Sequence, residues 1–129
     1  HGIFAPDEVI RLFPRLEVKW EHKVHERPVC KLPKQKLSGI LMHYTYDSWQ
    51  QWIEKAGQYT SIWAEDNFSK GKRVGKSAAF THGIYGFIRA YFLQLGFLDG
   101  WAGLYSSLQH FFYTLLKYWK LYELQQKNK

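Results

Sequence analysis

The sequence predicts an α+β chain, mostly α, with short strands at its start followed by two or three long helices. Three observations predict it. All four prolines, Pro6, Pro14, Pro28 and Pro33, fall in the first 45 residues. Apolar residues there alternate as in strands. Beyond residue 46 they recur at helical spacing. Two stretches, Ala78 to Leu98 and Gly100 to Leu116, are almost free of charge. The chain therefore divides into residues 1–45 and 46–129.

In the first part, Val9 to Phe13 and Leu16 to His25 alternate and are rich in β-branched and aromatic residues. They predict a hairpin around Pro14-Arg15, although no Asn-Gly turn supports it. Leu37 to Tyr46, with Ile40, Leu41 and Met42 at its centre, predicts a third strand. Three short strands do not bury a core by themselves. They are expected to form the edge of a larger sheet.

Within residues 20–27, Trp20, His22, Val24 and Glu26 share one face of an extended segment. Glu21, Lys23, His25 and Arg27 share the other. Histidine and glutamate move protons or bind metals, so this packed set is a candidate active-site edge. A surface strand with ordinary charges is the bland alternative.

The second part begins with Asp47 or Ser48 as a helix cap, with Gln50 or Gln51 as capping-box partner. Trp49, Trp52, Ile53, Ala56, Tyr59, Trp63 and Ala64 follow at helical spacing. Gly57 weakens the middle by up to about 1 kcal/mol and allows a bend. The helix is expected to stop near Gly71. The loop from Lys70 to Lys76 is basic and glycine-rich, but it is not a P-loop: the spacing and the preceding strand are missing. It reads as a solvated turn or a contact for lipid or substrate phosphate.

Ala78 to Leu98 is expected to form the next helix, with Gly96 and the Asp99-Gly100 pair breaking the run. Asp99 then reads as the cap of a last helix from Trp101. A membrane span needs about 20 mostly apolar residues. Gly83, Gly86, Arg89 and Gln94 interrupt one helix, and Ser106, Ser107, Gln109 and His110 the other. Aromatic residues beside lysines suit an interfacial helix instead. Trp101, Tyr105, Phe112, Lys117 and Lys120 are the candidates to face a membrane. A helical hairpin packed on another domain is the alternative.

The formal net charge is +7 and aromatic residues make up 19% of the chain. This favours anionic partners: a membrane surface or a sugar phosphate. Nucleic acid is not expected, because no zinc-finger spacing or aromatic-basic RNA motif is present. The single cysteine, Cys30, excludes an internal disulfide, fits a reducing compartment, and reads as a quiet thiol. The chain opens at His1, and its first residues do not read as a signal peptide, a basic segment followed by an apolar one. A fragment of a longer protein is expected.

Five motifs occur in order: Arg11-Leu12-Phe13-Pro14-Arg15, then Trp20-Glu21-His22-Lys23-Val24-His25-Glu26, then His43-Tyr44-Thr45-Tyr46-Asp47-Ser48, then Gly71-Lys72-Arg73, then Gly96-Phe97-Leu98-Asp99-Gly100. The series resembles the C-terminal part of family 2 glycosyltransferases. Bacterial lipopolysaccharide inner-core enzymes, which add a hexose, often glucose, to heptose, are the most similar subgroup. The resemblance covers most of the chain and implies a GT-A fold. Residues 1–45 would be the C-terminal edge of the catalytic domain and 46–129 a helical extension.

The nucleotide-sugar site and the Asp-x-Asp metal motif of such enzymes lie in their N-terminal half. No Asp-x-Asp occurs here. The resemblance implies a divalent metal, Mg or Mn, in the full-length enzyme, with none expected in these residues, which alone are expected to be inactive. It makes Glu26 the candidate base for the acceptor hydroxyl. His25 is the candidate contact to the diphosphate or its metal. Arg11 and Arg15 suit diphosphate or acceptor phosphate. Trp20, His22, His43, Lys72 and Arg73 complete the expected substrate and phosphate contacts; His43 equally suits a hydrogen-bonding role at the strand–helix junction. The implied location is cytoplasmic, peripheral on the inner face of the bacterial inner membrane. Apolar surface left by truncation would favour self-association.

Overall fold

The computed structural model describes residue 1 and residues 8–21, 27–39, 41–42 and 44–128. Two short strands, β1 (Lys19–Glu21) and β2 (Arg27–Val29), pair antiparallel. Three helices follow: α1 (Trp49–Ser69), α2 (Ala78–Ile88) and α3 (Gly100–Lys127). The described residues are therefore mostly helical, as the periodicity predicts.

The strand region is smaller than expected and paired differently. Trp20 stands opposite Pro28, Lys19 opposite Val29, and Glu21 opposite Arg27. Val9 to Phe13 is not a strand. At Pro14 the chain makes a turn, the Glu17 N–H donating to the Pro14 carbonyl at 3.2 Å, and no hairpin forms there. The pairing is instead between Lys19–Glu21 and Arg27–Val29. Pro28 cannot donate to a ladder, which confines it to an edge strand, and a two-stranded ribbon consists of edges. Among the described residues of 37–46 there is no strand either. Leu41 is 69% and Tyr44 79% exposed, so these side chains find no sheet face to cover. Among the described residues, the two strands pack on none of the helices.

α1 starts where its cap dictates. The Ser48 hydroxyl accepts the Gln51 N–H at 3.2 Å. Gln51 returns the bond one residue early, its Oε1 accepting the Asp47 N–H at 3.0 Å. This is a capping box shifted by one position. α1 runs unbroken through Gly57. It ends in a Schellman motif: the Lys72 N–H donates to Asn67 O and the Gly71 N–H to Phe68 O, both at 3.0 Å. Gly71 takes φ +80°, which a residue with a Cβ adopts only with strain.

The expected long helix to Leu98 breaks. α2 stops at Ile88, a π-helical turn spans Arg89–Leu93, and a 3₁₀ turn spans Gly96–Asp99. Leu95 sits in the left-handed region at φ 60°, a conformation that costs about 1–2 kcal/mol and cannot propagate a right-handed helix. Asp99 occupies the cap position of α3 but makes no capping bond. Its Oδ2 lies 2.9 Å from the His1 amino group.

α3 is the shared wall. α1 packs on one side of it and α2 on another, and α1 and α2 do not pack on each other. The buried apolar side chains are small: Ala56, Ala64, Ala79 and Ala90, with Leu121 the large exception. Gly83 and Gly86 let α2 lie close on α3. A Cβ at Gly83 would meet the Phe111 ring at 3.1 Å, and one at Gly86 the His110 ring at 3.1 Å. No helix among the described residues is long and apolar enough to cross a membrane.

Candidate functional site

Among the described residues, those expected from the sequence to form the site do not converge. His22, His25, Glu26 and His43 lie outside the described residues. Arg11 and Arg15 are exposed on the irregular segment before β1. Trp20 is more than half exposed on β1, with the Phe13 ring edge-on at 5.7 Å. Among the described residues no group of three His, Cys, Asp or Glu is placed to hold a metal ion.

Lys72 and Arg73 stand at the opposite end of the helical layer, where α1 ends beside the last turns of α3. The Gln125 amide ties the loop to α3. Its Oε1 accepts the Val74 N–H at 2.7 Å and its Nε2 donates to Val74 O at 2.9 Å. The pair imitates one rung of a sheet and fixes the loop's height on the helix. Arg73 Nη1 donates to Phe68 O at 3.2 Å and Lys72 O at 3.0 Å, and the guanidinium lies 4.3 Å from the Phe68 ring centroid. It thus adds a second donor to the Phe68 carbonyl, which already accepts the Gly71 N–H, and ties the loop to the α1 terminus. A groove of about 470 Å³ opens here between Phe68, Arg73, Lys76 and Tyr122.

Next to this groove, Tyr118 of α3 bridges the other two helices. The Trp63 ring of α1 lies 5.1 Å from it, and the His82 ring of α2 stacks on it at 4.0 Å, nearly parallel. Two ammonium groups sit on these rings. Lys72 Nζ is 4.9 Å from the Trp63 centroid and 5.1 Å from Tyr118. Lys117 Nζ is 5.0 Å from Trp63, 5.6 Å from Tyr118 and 5.8 Å from Tyr113. Ring faces carry negative potential that attracts cations. Burial, and then the Lys72 charge, push the Lys117 pKa below its ordinary value.

The lysines expected to face a membrane thus turn inward. Lys117 rests on the rings. Lys120 donates to Gly57 O at 2.6 Å, and to Thr60 Oγ1 and Ser61 Oγ at 2.9 Å each. Its three protons are spent locking α3 to α1, a role the membrane-facing expectation did not include. Trp101 and Phe112 remain exposed, while Tyr105 packs against Trp49 at 4.6 Å. Trp63, His82, Tyr118 and Gln125 were not singled out as a site. Tyr118, Tyr122 and Gln125 recur at i, i+4 and i+7 on one helical face, which was the available signal.

The chain shares 33% identity over 93 residues with a protein of Rickettsia typhi named an uncharacterized glycosyltransferase. The match covers 72% of this chain and 32% of that protein. The chain is similar to rickettsial glycosyltransferases. A glycosyltransferase of the same description from Rickettsia prowazekii is 33% identical over 92 residues, covering 71% of this chain and 32% of its own length. One from Rickettsia felis is 32% identical over 93 residues, covering 72% and 33%. The chain therefore spans about a third of the length of the curated glycosyltransferases it matches. No family model matches the chain. No solved structure matches it.

Proposed function

We propose that this chain is part of a glycosyltransferase that moves a hexose from a nucleotide sugar to a heptose of a lipopolysaccharide core. The observation that carries the transferase reading is the similarity to rickettsial glycosyltransferases over about 70% of the chain. The five ordered motifs, from Arg11-Leu12-Phe13-Pro14-Arg15 to Gly96-Phe97-Leu98-Asp99-Gly100, support the narrower family 2, GT-A and inner-core reading. Residues 1–45 are the edge of the catalytic domain and 46–129 its helical extension.

In this reading Glu26 takes the proton of the acceptor hydroxyl as the nucleoside diphosphate leaves from the other face of the anomeric carbon. His25 contacts the diphosphate or its Mg or Mn ion. Arg11 and Arg15 bind phosphate, for which the guanidinium fork is suited. The donor sugar sits in the part of the enzyme outside this chain, so the chain alone transfers nothing. The enzyme works on the cytoplasmic face of the inner membrane. Each exposed cation near anionic lipid contributes about 1 kcal/mol to holding it there.

A second reading, a docking module without chemistry, is favoured by one observation. Trp101, Tyr105, Leu108, Phe112, Leu115 and Trp119 recur at i, i+4, i+7, i+11, i+14 and i+18 on the side of α3 away from its buried residues. Trp101 is 85% and Phe112 52% exposed. The stripe is about 27 Å long at 1.5 Å per residue. It can meet an anionic membrane, the rest of a transferase, or a second copy.

The deciding experiment is sugar transfer by the full-length parent protein, offered a panel of nucleotide sugars and a heptose-terminated core, with the 129-residue chain as control. Transfer by the parent alone supports the first reading. Absence of transfer by the parent, with the chain still binding anionic vesicles, supports the second.

A further inference from the structure

We propose that Lys72 and Lys117, held over the rings of Trp63 and Tyr118, form a binding site for a phosphate group. The argument begins with charge. Both ammonium groups lie about 5 Å from the same Trp63 ring. Neither has a carboxylate partner among the described residues. Two acids of the same helices pair with other lysines: Asp66 Oδ2 with Lys70 at 2.6 Å, and Glu123 Oε1 with Lys127 at 2.8 Å.

Two like charges gathered without a counterion raise each other's energy, more so where one is partly buried. Solvated lysines on flexible stems ordinarily separate. Here the rings and the fixed loop keep them together: Lys72 directly follows Gly71 of the Schellman turn, and Gln125 holds Val74 two residues on. A bridging anion removes the repulsion and leaves the ring contacts in place. It also draws on the next two basic residues. Arg73 and Lys76 line the adjoining groove, together with Gln125, Gln126 and Asn128.

The chemistry favours phosphate over carboxylate. Its oxygens point in several directions and accept from two or three donors at once, and two cations match the charge of a monoester or a diphosphate. The aromatic floor of Trp63 and Tyr118, with His82 stacked beneath, excludes water from one side and strengthens the pairing. The site stands on this geometry alone. Its failure leaves the sugar-transfer reading untouched, and the failure of that reading leaves the site.

The test is calorimetric titration of the full 129-residue chain with inorganic pyrophosphate, against sodium chloride at equal ionic strength. A parallel arm measures binding to phosphatidylcholine vesicles doped with phosphatidic acid, against vesicles carrying phosphatidylglycerol at the same surface charge. Lys72→Gln removes an exposed side chain and tests the site even if Lys117→Gln fails to fold. Lys31→Gln, on the segment after β2, is the control. Pyrophosphate binding weakened about tenfold by Lys72→Gln and not by Lys31→Gln supports a soluble phosphate ligand. Preference for phosphatidic acid over phosphatidylglycerol, lost in the same variant, supports a lipid phosphate. No binding in either arm, or binding unchanged in Lys72→Gln, overturns the proposal.

Discussion

A Cβ placed on Gly103 would lie 1.7 Å from the carbonyl oxygen of Gly96. The first turn of α3 is thus pressed directly on the 3₁₀ turn that delivers it. A Cβ on Gly96 would in turn meet the Ala90 carbonyl at 2.7 Å. Both obstacles are backbone, which cannot swing aside as a side chain can. We expect Gly103→Ala to lower stability by about 3 kcal/mol or more, through overpacking. Gly57 is the contrast, since nothing lies within 4 Å of an added Cβ there. Gly57→Ala should stabilise by up to about 1 kcal/mol, through helix propensity. Urea unfolding followed by circular dichroism measures both; equal effects at the two sites would contradict the close approach.

Lys120 is the bolt between α1 and α3. Thr60, one of its acceptors, is fully buried. Lys120→Met keeps the stem and removes three hydrogen bonds, with an expected cost of about 1–3 kcal/mol. Thr60→Val should cost less once Lys120 is already Met, because the two share a bond. Additive losses in the double-mutant cycle would mean the contact carries no coupling.

His110 links stability to pH. Burial first, then the charges of Lys117 and Arg89, hold its pKa below the ordinary 6.5. The unfolded chain therefore binds this proton more readily than the folded one. The contribution to stability is complete above the unfolded value and is lost as pH falls through and below it. Thermal unfolding between about pH 7.5 and about pH 5 should show Tm falling with acid, and His110→Gln should flatten that dependence. A variant with the same slope as the parent chain would assign the acid loss to other groups.

The apolar stripe on α3 separates folding from docking. Trp101 and Phe112 point away from the core, so Trp101→Ser and Phe112→Ser should change unfolding by less than about 0.5 kcal/mol. Self-association of the chain, or its binding to anionic vesicles, should drop. Sedimentation at two salt concentrations reads both: high salt releases an electrostatic contact and spares an apolar one. A stable variant with undiminished association would remove the stripe from the docking reading.

Glu26 carries the catalytic proposal. In the full-length protein, Glu26→Gln should cut turnover by about 100-fold or more while nucleotide-sugar binding persists, because an amide cannot take the acceptor proton. Unchanged turnover would end its assignment as the base.

Local chemistry was legible wherever it did not depend on partners. Ser48 caps α1 and Gly71 ends it because both act through bonds to residues at most a few positions away. Val9 to Phe13 and Leu37 to Tyr46 read as strands and are not, because alternation marks a face that needs a sheet to cover it. The α2 break was hidden for the opposite reason. Ala78 to Leu98 carries one formal charge, Arg89, and the π turn and left-handed Leu95 accompany the close fit of the chain onto α3 at Gly96 and Gly103. The candidate catalytic residues Glu26 and His25 were named from motif order, and they lie outside the described residues.

The sequence by itself determined the helical content, the first helix with both its ends, and the similarity to glycosyltransferases. Each is written in short-range pattern or in residue order. Tertiary structure decided where the lysines go. Lys72, Lys117 and Lys120 look alike along the chain, yet Lys120 is held between two helices while Lys72 and Lys117 share a pair of rings with no carboxylate partner among the described residues. A lysine's charge is set by its chemistry, but its partners are set by which residues, some 60 positions away, the packing of α3 brings within 3 Å of its nitrogen.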